Sequence, residues 1–142
     1  MTTEGAVLVD TSAWIEALRP SGNRAIRERV AAVIAAGGAV TTQIVIMEIL
    51  IGARTEEQYR RLQEDLSALR LVPIDAATWR HAMRSGFELR RSGLSIPPTD
   101  LLIAAVALAD DATVLHADRH FDLIASRSPL KVESMLANLT SG

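Results

Sequence analysis

Four acidic residues of this chain stand where carboxylates can do chemistry. Asp10 directly follows the apolar run at residues 6–9, and Asp118 lies two residues beyond a second run at 113–116. Asp100 follows Pro97-Pro98-Thr99 and opens the most apolar stretch of the sequence, 101–109. Glu48 interrupts an aliphatic segment, with Ile46-Met47 before it and Ile49-Leu50-Ile51 after it. An ionised carboxylate in such company is costly unless it is paired or binds a cation. The alternative is a helix that turns Glu48 to solvent on a narrow polar face with Thr41 and Gly52. Each of the other acids has a structural reading as well: Asp10 and Asp100 as helix caps, Asp118 as a turn residue. Two carboxylates ~4 Å apart repel by roughly 1 kcal/mol in water and ~4 kcal/mol at an effective dielectric of 20. Convergence of all four would therefore need divalent cations, and a hard oxygen donor set with no requirement for His or Cys suits Mg2+ or Mn2+.

The elements that must position these groups can be read from periodicity. The strand at 6–9 runs into Asp10-Thr11-Ser12, a helix N-cap cluster. Pro20-Ser-Gly-Asn23 breaks the chain, helical spacing resumes over 24–36 at Ile26, Val30, Val33 and Ile34, and Gly37-Gly38 ends it. A short strand at 39–42 leads into a helix over 43–53 that carries Glu48. Thr55-Glu-Glu-Gln58 has capping-box form, ahead of an apolar stripe at Tyr59, Leu62, Leu66 and Leu69. Residues 71–74 read as a strand, with Pro73 suggesting a sheet edge. Next comes a helix with Trp79, Met83 and Phe87 spaced by four, ending near Ser92-Gly93. The prolines then set the start of a helix over 100–109, apolar nearly all round and so expected at the centre. A strand at 113–116, a turn at 117–119, a short helix at 120–125 and a last strand at 130–132 complete the reading. Strands separated by helices imply right-handed βαβ units and a parallel sheet covered on both faces, so the fold class is α/β. Sites in such sheets form beyond the carboxyl ends of the strands. Asp10 and Asp118 fall there, and Asp100 sits at a helix start whose N–H groups favour a carboxylate.

Composition narrows the field. The 142 residues suit one domain over 1–142, and 49% hydrophobic with 4% aromatic residues means that aliphatic side chains and Ala fill the core. The absence of cysteine excludes disulfides, thiolate metal sites and cysteine nucleophiles. A formal charge of −2 means that the whole molecule is no electrostatic trap for nucleic acid, so a polyanionic substrate needs a local basic patch or metal ions. Fourteen of the 15 basic residues are Arg. Arg24, Arg27, Arg90 and Arg91 are candidate RNA contacts, or else ordinary solvated helix faces. No signal-like leader opens the sequence, and the longest apolar run is far below the ~20 residues of a bilayer span. The expectation is a cytoplasmic protein without membrane association. His81, His116 and His120 lack a ligand spacing with one another and read as structural; Trp14, Trp79 and Met83 read as core or dimer-interface residues.

Taken together, Val9-Asp10-Thr11-Ser12, Glu48 within Met47-Glu-Ile-Leu-Ile-Gly-Ala53, Pro98-Thr-Asp-Leu-Leu-Ile-Ala104 and His116-Ala-Asp-Arg-His-Phe121 resemble the PIN domain over nearly the whole chain. The size is similar to that of the VapC toxins of bacterial VapBC toxin–antitoxin systems. The resemblance implies a three-layer α/β/α fold with a central parallel sheet of four or five strands. It also implies a Mg2+- or Mn2+-dependent endoribonuclease acting on RNA such as tRNA, usually a homodimer, inhibited by a cognate VapB antitoxin. In that scheme Asp10, Asp100 and Asp118 hold one or two metal ions, and Glu48 is a further ligand or orients the attacking water. Thr11 or Ser12 supports Asp10 or a phosphate oxygen, and Asp122 is a second candidate beside Asp118. The chain departs from the family at His116, where Thr is often found two residues before the fourth acid.

Competing classes fit less well. A phosphorelay receiver needs an acidic pair after its first strand and a well-placed Lys, whereas Asp10 is single, the one Lys is Lys131, and Asp75 is the only acceptor on offer. No Gly-x-Gly-x-x-Gly follows a strand, against a dinucleotide fold. A non-catalytic PIN-like module that only binds RNA or protein is the serious rival, although such modules typically lose one or more of the four acids.

Overall fold

The computed structural model describes residues 5–140. Five strands, Val7–Val9 (β1), Ala39–Thr41 (β2), Arg70–Leu71 (β3), Thr113–His116 (β4) and Lys131–Ser134 (β5), form one sheet in the order β3-β2-β1-β4-β5. Every pairing is parallel. β1 is buried along its whole length, as a central strand covered on both faces must be. The helices are Thr11–Leu18 (α1), Arg24–Ala35 (α2), Gln43–Ile51 (α3), Glu56–Ser67 (α4), Ala76–Arg91 (α5), Pro98–Ala109 (α6), Arg119–Ala125 (α7) and Leu136–Thr140 (α8). Right-handed crossovers to strands added on opposite sides of β1 lay their helices on opposite faces. The packing agrees: α1 contacts α2 and α3, while α6 contacts α5 and α7. This is the α/β sandwich expected from the alternation of periods.

Local chemistry explains where each element begins and ends. Asp10, Asn23, Thr55, Asp75 and Asp118 are all N-caps whose side chains accept an N–H from the first turn. At Thr55 the reciprocal half of the capping box is displaced by one residue, because Gln58 Oε1 accepts from Arg54 N rather than from Thr55. Asp75 accepts from both N and Oγ1 of Thr78, bonds that hold its carboxyl below the usual carboxylate range and tie it to capping rather than phosphoacceptor work. α6 begins two residues before the expected start, with Pro98 at its first position, where a missing N–H is harmless. It buries Asp100 and the continuous run Leu102–Ala107, so it occupies the centre as its composition demanded.

Three expectations need correction. β3 spans Arg70–Leu71 rather than 71–74: Val72 still donates to Thr41 O (2.8 Å), but Pro73 has no N–H to continue the ladder at this sheet edge. β5 runs on to Ser134 and is followed by α8, an element too short to leave a periodic signature. Of the two readings given for Trp79 and Met83, only the core one falls: Trp79, Met83 and Phe87 are 43%, 66% and 51% exposed, while Thr78, Ala82 and Leu89 face inward. α5 approaches α6 closely enough that a Cβ on Gly86 would stand 2.6 Å from Leu101 Cδ1, which explains a glycine inside that helix. Trp14 is buried, as expected for core.

Candidate active site

The order of the strands reverses between β1 and β4, and sites in parallel sheets form beyond the carboxyl ends at such a point. Asp10 leaves β1 directly, its backbone N–H donating to Leu115 O of β4 (2.9 Å). Asp118 leaves β4 after one intervening residue and caps α7. Asp100 enters from the first turn of α6. Glu48 comes from the middle of α3, half-buried, with Oε1 accepting from Thr11 Oγ1 (2.9 Å). Its helix therefore does not give it up to solvent on an isolated polar face.

Ser12 ties the two strand ends together. Its Oγ donates to Asp10 Oδ2 (2.6 Å) and accepts from Ala117 N (2.9 Å), while its own N–H also donates to Asp10 Oδ2 (3.0 Å). One carboxylate oxygen of Asp10 is thus held by two donors.

Oxygens of Asp100 and Asp118 and a ring nitrogen of His120 lie within 4.8 Å of one another. His120 Nδ1 stands 3.0 Å from Asp100 Oδ2 and 3.0 Å from Asp118 Oδ1. Between two ionised carboxylates, that nitrogen is the one that donates. Reading His120 as merely structural therefore misses its place at the middle of the cluster. The available signal was the capping register: the second residue after an N-cap donates its N–H back to the cap, as His120 N does to Asp118 Oδ1 (2.9 Å), which keeps its side chain near the same carboxylate. His81, by contrast, is exposed on α5.

The electrostatics report crowded negative charge. Burial, then the charges of Asp10 and Asp118, raise the Asp100 carboxyl from 3.8 to about 6, with His120 acting in the opposite direction. Burial also raises Asp10 despite its bonds to Ser12, and the charge of Glu48 adds to the rise. Asp100, Asp118 and His120 meet within ligand distance; the charge of Asp10 reaches Asp100, and that of Glu48 reaches Asp10. Asp122 points elsewhere: Oδ1 lies 3.2 Å from His116 Nε2 and Oδ2 accepts from Ser134 Oγ (3.0 Å), so it is not part of the cluster. A buried group of carboxylates, short of positive charge, fits a hard divalent cation.

Known proteins share this arrangement of sequence. The model of the PIN domain family matches residues 7–126. Ribonuclease VapC51 of Mycobacterium tuberculosis is 38% identical over 122 residues, covering 84% of this chain and 85% of its own length. Ribonuclease VapC11 of the same organism is 35% identical over 132 residues, 90% of this chain and 98% of its own. Among solved structures, VapBC2 from Rickettsia felis bound to a DNA fragment from its promoter contains a chain that superposes with a TM-score of 0.75. That match covers 91% of this chain and 98% of the other at 22% identity, a likeness of fold.

Proposed function

This chain belongs to the PIN-domain family, and from that premise we propose that it is a metal-dependent endoribonuclease, the toxin of a VapBC-type toxin–antitoxin pair. The observation that carries the reading is the meeting of Asp100, Asp118 and His120 within 4.8 Å at the β1–β4 switch point, with Asp10 and Glu48 behind them. Asp10, Asp100 and Asp118 would hold Mg2+ or Mn2+, with Glu48 as a further ligand or water-orienting group. When bound, the ion supplies an acidified water near neutral pH and charge neutralisation for the scissile phosphate.

The protein's own groups have separable tasks. Ser12 fixes one oxygen of Asp10 and leaves the other free to bind. Thr11 fixes one oxygen of Glu48, so that the second can accept a proton from an attacking water. His120 stands between Asp100 and Asp118, its Nδ1 within hydrogen-bond reach of both. Water attack in line with the leaving oxygen then breaks the phosphodiester without a protein nucleophile. Retention of all four acids disfavours a module that only binds.

The named VapC ribonucleases among its relatives support RNA as substrate, and the VapBC complexes among its structural neighbours support a VapB-type antitoxin as partner. The exposed stripe of Trp79, Met83 and Phe87 on α5 is the face we assign to homodimerisation. No helix among the described residues is long and apolar enough to cross a membrane, in keeping with action in the cytoplasm.

The test is incubation of purified protein with total bacterial RNA in Mg2+, Mn2+ or EDTA, beside Asp10→Asn. Discrete fragments that need both the metal and Asp10 are expected. RNA left intact by folded wild-type protein under every condition would overturn the proposal in favour of a binding module.

A further inference from the structure

His116 is completely buried at the end of β4. Its Nδ1 accepts a hydrogen bond from the backbone N–H of Asp118 (3.2 Å). A nitrogen that accepts carries a lone pair, so the proton sits on Nε2. Nε2 points at Asp122 Oδ1, 3.2 Å away, without reaching hydrogen-bond geometry, and the other oxygen of Asp122 is held by Ser134 of β5. The ring also lies against Phe121, with centroids 5.2 Å apart, and His116 O accepts from Met135 N (2.7 Å). The imidazole thus lies between the Asp118 amide and the Asp122 and Phe121 side chains of α7, while the His116 backbone is held by Met135.

We infer that His116 is a positioning residue for Asp118: its Nδ1 fixes the backbone of the β4–α7 turn so that the Asp118 carboxylate faces Asp100. The turn is pinned at two successive amides, Ala117 N–H by Ser12 Oγ and Asp118 N–H by His116 Nδ1. The other edge of the ring faces Asp122, whose second oxygen is held by Ser134 of β5. This explains why Asp122, although close in sequence, stands outside the acidic cluster. Partners of this kind, one step removed from a metal ligand, typically govern affinity by about 10- to 100-fold.

The inference rests on Asp118 being a metal ligand, and two variants separate it from that premise. In His116→Asn the Oδ1 atom replaces Nδ1 as acceptor, and in His116→Leu the acceptor is lost while the site stays filled. Calorimetric titration with Mn2+ should find the Asn variant within about 3-fold of wild type and the Leu variant weaker by about 10-fold or more. Nitrogen NMR of the metal-free wild type should show the His116 proton on Nε2. Equal affinity in wild type and Leu variant, equal loss in both variants, or a proton on Nδ1 would each overturn the inference alone. Wild-type protein that binds no Mn2+ would instead overturn the metal reading on which it rests.

Discussion

Asp100→Asn removes a charge that the fold resists, so it should stabilise the metal-free protein while destroying its metal response. Asp100 ionises near 6 in the folded chain, above its ordinary 3.8, chiefly because of burial and then because of Asp10 and Asp118. The folded state therefore holds a proton that the unfolded state has already released. Stability contributed by the protonated form is complete below about pH 4 and is lost as pH rises through about 6. A displacement from 3.8 to about 6 corresponds to about 3 kcal/mol against the ionised form. Relaxation and counter-ions should leave about 1–2 kcal/mol of this, because charge pairs in proteins behave as if in a fairly high dielectric. Asn cannot ionise, so in EDTA at pH 7.5 the variant should melt about 3–8 °C above wild type, at about 3–4 °C per kcal/mol for a chain of this size. At pH 4 the two should melt together. Mn2+ at a hundred times its Kd should add about 2.7 kcal/mol to wild type and little to the variant. Differential scanning calorimetry at the two pH values, with and without Mn2+, reads all of this. A variant that melts below wild type at both pH values, or a Mn2+ shift shared by both proteins, would refute the reasoning.

Two further outcomes follow from particular contacts. Ser12→Ala leaves the buried Ala117 N–H without its acceptor and frees Asp10 Oδ2 from its shortest bond, so urea denaturation should show a loss of about 1–3 kcal/mol; an unchanged midpoint would mean that the bridge between the strand ends carries no energy. Met83→Glu places a charge in the centre of the exposed α5 stripe, and light scattering on a sizing column should show dimer giving way to monomer, while an unaltered dimer would move the interface to another face.

Much of this architecture is legible in the sequence because burial and periodicity coincide. The runs at β1 and β4 and the all-round apolar α6 declare central elements, and the prolines at 97 and 98 mark where α6 begins. Asp10 and Asp118 could be placed because each leaves a strand whose carboxyl end is recognisable. The α5 stripe left core and partner face both open, because large apolar residues at helical spacing are the same signal for either; only the small residues opposite, Ala82 and Gly86, mark the side that packs on α6. His120 and His116 were hidden for another reason. Capping register brings His120 near Asp118, but the direction of each ring nitrogen within the tight turn is set by neighbours distant in sequence, Asp100 for His120 and the fold of the β4–α7 turn for His116. Glu16 is similar: a buried carboxylate on α1, it is answered by Arg19 (2.6 Å) and by Asn23 N (3.0 Å) across a turn that sequence shows only as a break.

The reversal of strand order at β1 has a consequence in time. β1 leaves the ribosome well before its neighbour β4, which begins only at Thr113, paired with Val7. Asp10 and Glu48 are made early, but the segment that carries His116, Asp118 and His120 arrives when most of the chain already exists. Any product that stops short of that segment lacks two of the three groups that meet there, Asp118 and His120, whatever else it folds into. On the function proposed above, a nuclease built in this order cannot act until that segment is made, and a message cut midway should yield fragments that do not cut.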